Sequence, residues 1–138
     1  MDKRSIKEIR CEKAPLAIGP YSQAVMADPF VFVAGQLPLD PSTGEIISGD
    51  IRLQTEQVIT NLENILSEAG LCLGDVVKSE VFLTDMGDFA AVNEVYSSKF
   101  KVGVKPARSV TQAAALPKGA KIEISCIAYR ELDKEDKA

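Results

Sequence analysis

The sequence predicts one α+β domain over residues 1–138, in which two helices cover one face of a mixed sheet of about six strands. Two segments, near residues 51–69 and 88–100, repeat apolar side chains at helical spacing. The segments around them are short and alternate apolar with polar residues, as strands do. With 138 residues, 46% of them hydrophobic, and no repeat or linker, the chain suits a single domain with its own core.

Three strands are predicted before the first helix. Residues 5–11 alternate weakly and predict an edge strand, and residues 14–22 form a loop because they contain two prolines and a glycine. Residues 23–27 and 30–35 predict a hairpin with Asp28-Pro29 at its turn. The first part of the chain should therefore supply an edge strand and a hairpin.

The longer helix follows a loop at residues 37–49 that is rich in Pro, Gly, Ser and Asp. Asp50 is the predicted N-cap, and Gly70 is the predicted stop. Its apolar stripe, which we expect to face the core, comprises Thr55, Val58, Ile59, Leu62, Ile65, Leu66 and Ala69. The opposite side carries polar and charged residues: Arg52, Glu56, Asn64 and Glu68.

A strand and the shorter helix come next. Residues 76–84 predict the strand, with Val77, Val81 and Leu83 on one face and Lys78, Glu80 and Phe82 on the other. Asp88 is the predicted cap of a helix that runs to about Phe100. Its inward side chains should be Phe89, Val92, Tyr96 and Phe100.

The last two strands are predicted at residues 108–114 and 121–129, followed by a charged tail at 131–138. Alternation in the final strand separates Ile122, Ile124, Cys126 and Ala128 from Glu123, Ser125, Ile127 and Tyr129. The pattern leaves open which of these faces meets the helices. Two helices can cover only one face of the sheet, so the half-apolar other face predicts contact with another subunit.

Composition excludes several kinds of chemistry. The chain has no histidine, which rules out Ser-His-Asp and Cys-His nucleophiles and histidine metal sites. The net charge of −4, without a basic stripe, disfavours a nucleic-acid partner. Carboxylates, Arg, Lys, Tyr and hydroxyls remain, and such groups can hold an anion, position a water molecule and move a proton.

The cysteines and the first residues indicate an intracellular, cytoplasmic protein. Cys11, Cys72 and Cys126 are an odd number without CxxC spacing, so we expect reduced thiols that pack as small buried hydrophobic residues. Residues 1–10 lack the apolar core of a signal peptide, and no apolar stretch is long enough to span a membrane.

Arg108 and Glu123 are the candidate functional pair. Arg108 follows a turn at Pro106 and leads into a strand, and Glu123 lies among apolar residues of the next strand. A half-buried carboxylate usually needs a partner or a function. Two readings without function stay open: Arg108 as an ordinary surface arginine, and a structural ion pair between Arg108 and Glu123.

Several short motifs occur in an order that resembles one known family. They are Ala17-Ile-Gly-Pro-Tyr-Ser-Gln-Ala24, Val33-Ala-Gly-Gln-Leu-Pro38 with Thr43-Gly-Glu45, Val92-Asn-Glu-Val-Tyr96, Pro106-Ala-Arg-Ser109 and Leu116-Pro-Lys-Gly-Ala-Lys-Ile-Glu123. Each motif is weak alone, but together they are specific. The chain resembles the Rid family of enamine/imine deaminases, also called YjgF or L-PSP, over residues 14–130, with the RidA subfamily as the best match.

The resemblance implies a chorismate-mutase-like (YjgF-like) fold and a homotrimer with substrate clefts between subunits. Carried over by position, Arg108 anchors a substrate carboxylate and Glu123 orients the attacking water. Tyr21 forms an aromatic wall of the site, Gly35 contributes backbone, and Asn93 matches a recurrent asparagine near the site.

Two positions depart from many relatives. This chain has Ala34 where many relatives have serine, and Val110 where some have cysteine. Both positions belong to the implied substrate site, so the departures concern substrate range more than activity.

The function implied is 2-iminobutanoate/2-iminopropanoate deaminase. Such an enzyme hydrolyses reactive 2-imino acids, and the enamines 2-aminoacrylate and 2-aminocrotonate, to 2-keto acids and ammonia, and it needs neither metal nor organic cofactor. Two alternatives stay open: a ribonuclease or translation inhibitor, a label long attached to this family, and a non-catalytic ligand-binding or chaperone-like trimer.

Overall fold

A computed structural model describes residues 6–131 and shows a six-stranded mixed sheet. Its strands are β1 (Ile6–Ile9), β2 (Ala24–Ala27), β3 (Phe30–Gln36), β4 (Val76–Leu83), β5 (Ala107–Gln112) and β6 (Ile122–Tyr129). Its helices are α1 (Ile51–Glu68) and α2 (Phe89–Lys99). The predicted α+β class is confirmed, whereas Ser5 of the first predicted strand and residues 132–138 of the predicted tail lie outside the described residues.

The strand order is β1-β2-β3-β6-β4-β5, so the last strand of the chain lies in the middle of the sheet. β4 and β5 pair in parallel, and the other neighbours pair antiparallel. This order places β5, which carries Arg108, at one edge, and separates it from β6, which carries Glu123, by the whole width of β4.

Helix α1 begins and ends where the sequence predicts. The Asp50 carboxylate accepts a hydrogen bond from Leu53 N at 3.0 Å. At the other end Gly70 has a φ of +78°, and Leu71 N donates to Leu66 O at 2.9 Å. A glycine suits this left-handed position, because a Cβ would be strained there.

Helix α2 forms as predicted, but its predicted cap is wrong. The Asp88 side chain makes no capping hydrogen bond. A short 3-10 turn at Met86–Asp88 precedes the helix, and there the Asp85 carboxylate accepts from Gly87 N at 2.8 Å. The turn leads the chain into α2, so capping passes to an earlier aspartate.

Strand β4 contains a bulge that reverses one predicted orientation. The register against β6 shifts between Val76 and Lys78. As a result Val76 is 2% exposed and packs in the core, whereas Val77, predicted to share a face with Val81 and Leu83, is 43% exposed while those two are buried. An extra residue in one strand flips the side chains on its far side, which strict alternation cannot anticipate.

The two faces of the sheet differ in what covers them. In β6 the fully or nearly buried side chains are Ile122, Ile124, Cys126 and Ala128, and they face α1 and α2. This answers the question that the pattern left open. The other side, which we call the open face, carries side chains that remain partly or fully exposed within one chain: Phe30, Phe32, Lys78, Glu80, Phe82, Glu123, Ser125, Ile127 and Tyr129.

The structure also bears on the predictions about the cysteines and about membrane-spanning segments. Cys11 and Cys126 are buried, but Cys72 is exposed, so the prediction that all three cysteines pack as buried hydrophobic residues is wrong for Cys72. Within residues 6–131 neither helix is long and apolar enough to cross a lipid bilayer.

Candidate active site

Arg108 lies on the helix side of the edge strand β5. Its backbone is paired with Ser79 of β4, whose side chain is completely buried beneath α2. Paired residues on neighbouring strands point to the same face. The Arg108 side chain therefore rises along the rim of the sheet toward α2, and it stays exposed.

Helix α2 fixes the guanidinium of Arg108 in two ways. Arg108 Nη1 donates to Asn93 Oδ1 at 2.8 Å. Its Cζ lies 4.8 Å from the ring centroid of Tyr96 and 5.5 Å from that of Phe89, which are cation–π distances. We call these four residues the Arg108 cluster. One bond to Asn93 leaves most of the five guanidinium N–H donors available to a ligand.

Tyr96 ties the Arg108 cluster to the core. Its hydroxyl lies 2.6 Å from Ser79 Oγ, and its ring stacks on Phe100 with centroids 4.2 Å apart. Burial raises the pKa of Tyr96, although the hydrogen bond with Ser79 and the charge of Arg108 oppose that rise. The tyrosine thus remains a neutral ring against which the guanidinium rests.

Glu123 lies on the open face, against Gly35. It is paired with Phe82 of β4, a partner on that face. A Cβ built on Gly35 would lie 2.7 Å from Glu123 Cδ, which is closer than real Cβ atoms approach. The absence of a side chain at position 35 therefore makes room for this carboxylate, beside the irregular register of β3 between Val33 and Gln36.

Burial raises the pKa of Glu123 above its ordinary value. Half-burial withdraws the carboxylate from water, and no cation is among the causes of its pKa shift. A carboxylate in this state holds a proton more readily than a solvated one. That property suits a group that must take a proton from water near neutral pH.

One chain does not bring Arg108 and Glu123 together. Arg108 faces the helices, Glu123 faces the opposite way, and the two lie two strands and several residues apart. Standard strand spacing separates their Cα atoms by about 14 Å. The structural ion pair left open by the sequence does not form, and a small ligand cannot touch both side chains of one chain.

The other predicted site residues lie on the loop before β2, on β3, on β5 and on α2. Tyr21 is 55% exposed on the loop before β2, and its N–H donates to Gly19 O at 2.8 Å. Ala34 precedes Gly35 in β3, and its N–H donates to Gln23 O at 2.9 Å. Val110 follows Arg108 by two residues on the same face and packs against the core. Asn93, which the family resemblance places near the substrate site, accepts a hydrogen bond from Arg108 itself.

Three members of the immediate surroundings of Arg108 were missed by sequence reasoning: Ser79, Phe89 and Tyr96. The last two were predicted only as core residues of α2. Residues 89, 93 and 96 follow one another at i, i+4 and i+7, so they share one face of a helix. That spacing, with an asparagine between two aromatic residues, was the available signal.

No group of three or more Cys, Asp or Glu side chains within residues 6–131 is arranged to hold a metal ion. The site therefore consists of a guanidinium with its aromatic and amide supports and, on the other face, a half-buried carboxylate beside a glycine.

The family described as Endoribonuclease L-PSP matches residues 11–130. The chain belongs to this family, which is the Rid or YjgF/L-PSP family. It is 56% identical over 120 residues to a RutC family protein of Pyrococcus abyssi, covering 87% of this chain and 94% of that one. It is 48% identical over 124 residues to the 2-iminobutanoate/2-iminopropanoate deaminase of Mus musculus, covering 90% and 91%.

The Rid-family fold is also shared with solved structures. The crystal structure of E. coli TdcF with bound serine superposes with a TM-score of 0.87 at 45% identity, covering 91% of this chain and 99% of that chain. The predicted Rid-family membership and YjgF-like fold are thereby confirmed.

Proposed function

We propose that this protein is a 2-imino acid deaminase that converts 2-iminopropanoate and 2-iminobutanoate to 2-keto acids and ammonia. The observation that carries the proposal is a complementary pair of groups: an exposed guanidinium held in place by α2, and a half-buried carboxylate of raised pKa. The name of the mouse relative and the serine bound to TdcF support a small amino-acid-like substrate.

Arg108 binds the substrate carboxylate in this proposal. A planar guanidinium can donate two parallel hydrogen bonds to the two oxygens of a carboxylate. Asn93 and the rings of Tyr96 and Phe89 hold the guanidinium beforehand, so binding costs less side-chain freedom. The imine carbon, C2, is bonded to this carboxylate and is therefore placed at a fixed distance from Arg108.

Glu123 acts as the general base. It accepts a proton from a water molecule while the water oxygen forms a bond to C2, and it passes this proton to the imine nitrogen to give a carbinolamine. Glu123 then accepts the proton of the carbinolamine hydroxyl as the C=O bond forms and passes it to the nitrogen as the C–N bond breaks, which releases ammonia and the 2-keto acid. The atoms balance without any further reactant.

The active site joins two subunits, because one chain keeps its own Arg108 and Glu123 apart. We propose a homotrimer in which Arg108 of one subunit meets Glu123 of the next, with Tyr21, Ala34 and Gly35 beside that Glu123. The exposed aromatic and aliphatic side chains of the open face, such as Phe32 and Tyr129, support burial against another copy. The trimeric number rests on the family resemblance alone.

We also propose that the protein acts in the cytoplasm without metal or cofactor. Its three cysteines are free, which suits a reducing compartment. The addition of water to an imine needs an oriented substrate and a base, both of which the chain's own side chains can supply.

The decisive test of the proposed function is turnover. 2-Aminoacrylate is generated afresh, and the release of ammonia and keto acid is followed with and without the protein. Acceleration that disappears in Arg108→Ala supports the proposal. An unchanged rate in the presence of a protein that binds 2-keto acids would favour the non-catalytic ligand-binding alternative instead.

A ribonuclease is the alternative suggested by the family's description. The net charge of −4 and the absence of histidine count against it, because phosphate binding relies on basic side chains and RNA cleavage on proton transfer. Purified, nuclease-free protein is expected to leave single-stranded RNA intact at physiological salt. Cleavage lost in a site variant would favour this alternative.

A further inference from the structure

Tyr96 connects the exposed Arg108 to the buried side of the sheet. Its ring packs against the guanidinium, with Cζ 4.8 Å from the ring centroid, and stacks on Phe100 at an interplanar angle of 18°. Its hydroxyl lies 2.6 Å from the Oγ of Ser79, whose side chain is completely buried. The ring is therefore held both at its hydroxyl end and by stacking.

The hydrogen bond to Asn93 cannot orient Arg108 by itself. It fixes one nitrogen, Nη1, and leaves the guanidinium plane free to turn about that contact. The Tyr96 ring beneath Cζ restricts this rotation, because a cation is attracted to the negative face of an aromatic ring. The orientation of the plane decides whether both carboxylate oxygens can be reached at once.

We propose that Tyr96 is a positioning residue: its ring, held by Ser79 and Phe100, orients the guanidinium of Arg108 toward the substrate carboxylate. The inference rests on the proposed role of Arg108 in binding that carboxylate. Tyr96 acts through Arg108 and touches no reacting atom. Its effect should therefore appear as carboxylate affinity, and in kcat/KM by the same factor.

Two double variants separate the ring from the hydroxyl. Ser79→Ala with Tyr96→Phe removes both hydroxyls together, leaves no buried hydroxyl unpaired, and keeps the ring. Ser79→Ala with Tyr96→Leu removes the ring as well. Binding of 2-oxobutanoate, measured by calorimetry, should stay within about threefold of the parent in the first variant and weaken roughly tenfold in the second.

An isosteric ring replacement distinguishes positioning from packing. Tetrafluorophenylalanine at position 96, in the Ser79→Ala background, nearly keeps the shape of phenylalanine but removes most of the negative electrostatic potential of the ring face. Orientation through that face predicts weaker binding of 2-oxobutanoate than the Ser79→Ala/Tyr96→Phe control shows. This comparison decides the matter even if the leucine variant fails to fold.

Calorimetry and the imine assay test the Tyr96 inference and the deaminase proposal independently. If the parent hydrolyses no imine, the deaminase proposal is wrong, and the affinities for 2-oxobutanoate still report the role of Tyr96. If the fluorinated variant binds 2-oxobutanoate as tightly as its phenylalanine control, the ring face does not orient Arg108, and the inference is overturned.

Discussion

Replacing Arg108 by alanine is expected to abolish deamination while leaving the fold intact. The guanidinium donates one hydrogen bond to Asn93, which leaves its other N–H groups available to a ligand. Two charge-assisted hydrogen bonds in a partly exposed site contribute about 3 kcal/mol together, which corresponds to roughly a hundredfold loss in rate. Arg108→Lys should regain little of this loss, because an ammonium group cannot donate two parallel hydrogen bonds to both carboxylate oxygens.

The stability of the same variants provides the control. Arg108 is exposed, and its structural contacts are one hydrogen bond and two cation–π contacts at the edge of the sheet. A hydrogen bond contributes about 1 kcal/mol, and each exposed cation–π contact contributes up to about 1 kcal/mol. The free energy of unfolding should therefore fall by at most about 3 kcal/mol, and the melting temperature by no more than about 10 °C.

The assay follows keto-acid release from freshly generated 2-aminoacrylate, alongside calorimetry with 2-oxobutanoate. A well-folded Arg108→Ala protein that deaminates at the parent rate would reduce Arg108 to an ordinary surface cation. In that case the reasoning from the Arg108 cluster to carboxylate binding would be refuted.

Three further predictions concern Glu123 and Gly35. Glu123→Gln should bind 2-oxobutanoate like the parent and lose turnover, since an amide keeps the shape but accepts no proton; calorimetry and the imine assay on one preparation compare the two effects. Because burial raises the pKa of Glu123 in the folded protein, the folded state binds this proton more tightly than the unfolded chain does, and stability falls as pH rises through the raised pKa. Glu123→Gln should therefore be more stable than the parent at neutral pH and equal to it below the ordinary glutamate pKa, and denaturant titrations across this range that show no such difference would contradict the burial argument. Gly35→Ala should lower turnover more than folding stability, because its Cβ would displace the Glu123 carboxylate, whose Cδ lies 2.7 Å from that position; an unaffected kcat would contradict this.

The helices and strands could be predicted because the residues that determine each of them lie close together in the sequence. The apolar stripe of α1, its Asp50 cap and the Gly70 stop depend on residues within one segment, and all three are confirmed. Val77 and Asp88 were misjudged for a different reason. A bulge in β4 and a 3-10 turn before α2 are set by how the segments pair and join, which spacing alone does not record.

The two main residues of the candidate site could likewise be predicted from the sequence, whereas their relative positions could not. Arg108 and Glu123 could be selected from residue type and motif, but their positions on opposite faces depend on the strand order β6-β4-β5 and on its register. The support of Arg108 by Tyr96 requires that α2 cross above Ser79, a tertiary arrangement. The sequence thus selected the two candidate groups, and the structure shows that one chain holds them apart.

That separation makes subunit complementation the most direct test of the account. Arg108→Ala and Glu123→Gln, each inactive alone, are produced together with different tags, and the mixed oligomers are purified through both tags. If each site takes Arg108 from one subunit and Glu123 from the next, every mixed trimer contains a single site with both native groups. The purified mixed oligomers should then recover about a third of the parent activity.

The control is the double variant Arg108→Ala/Glu123→Gln co-expressed with the parent chain, which tests whether mixed oligomers assemble and retain activity. The account predicts that the mixed oligomers of the two single variants recover about a third of the parent activity. No recovery, in mixed oligomers shown to contain both chains, would mean that the two groups do not act together across subunits and would contradict the central claim.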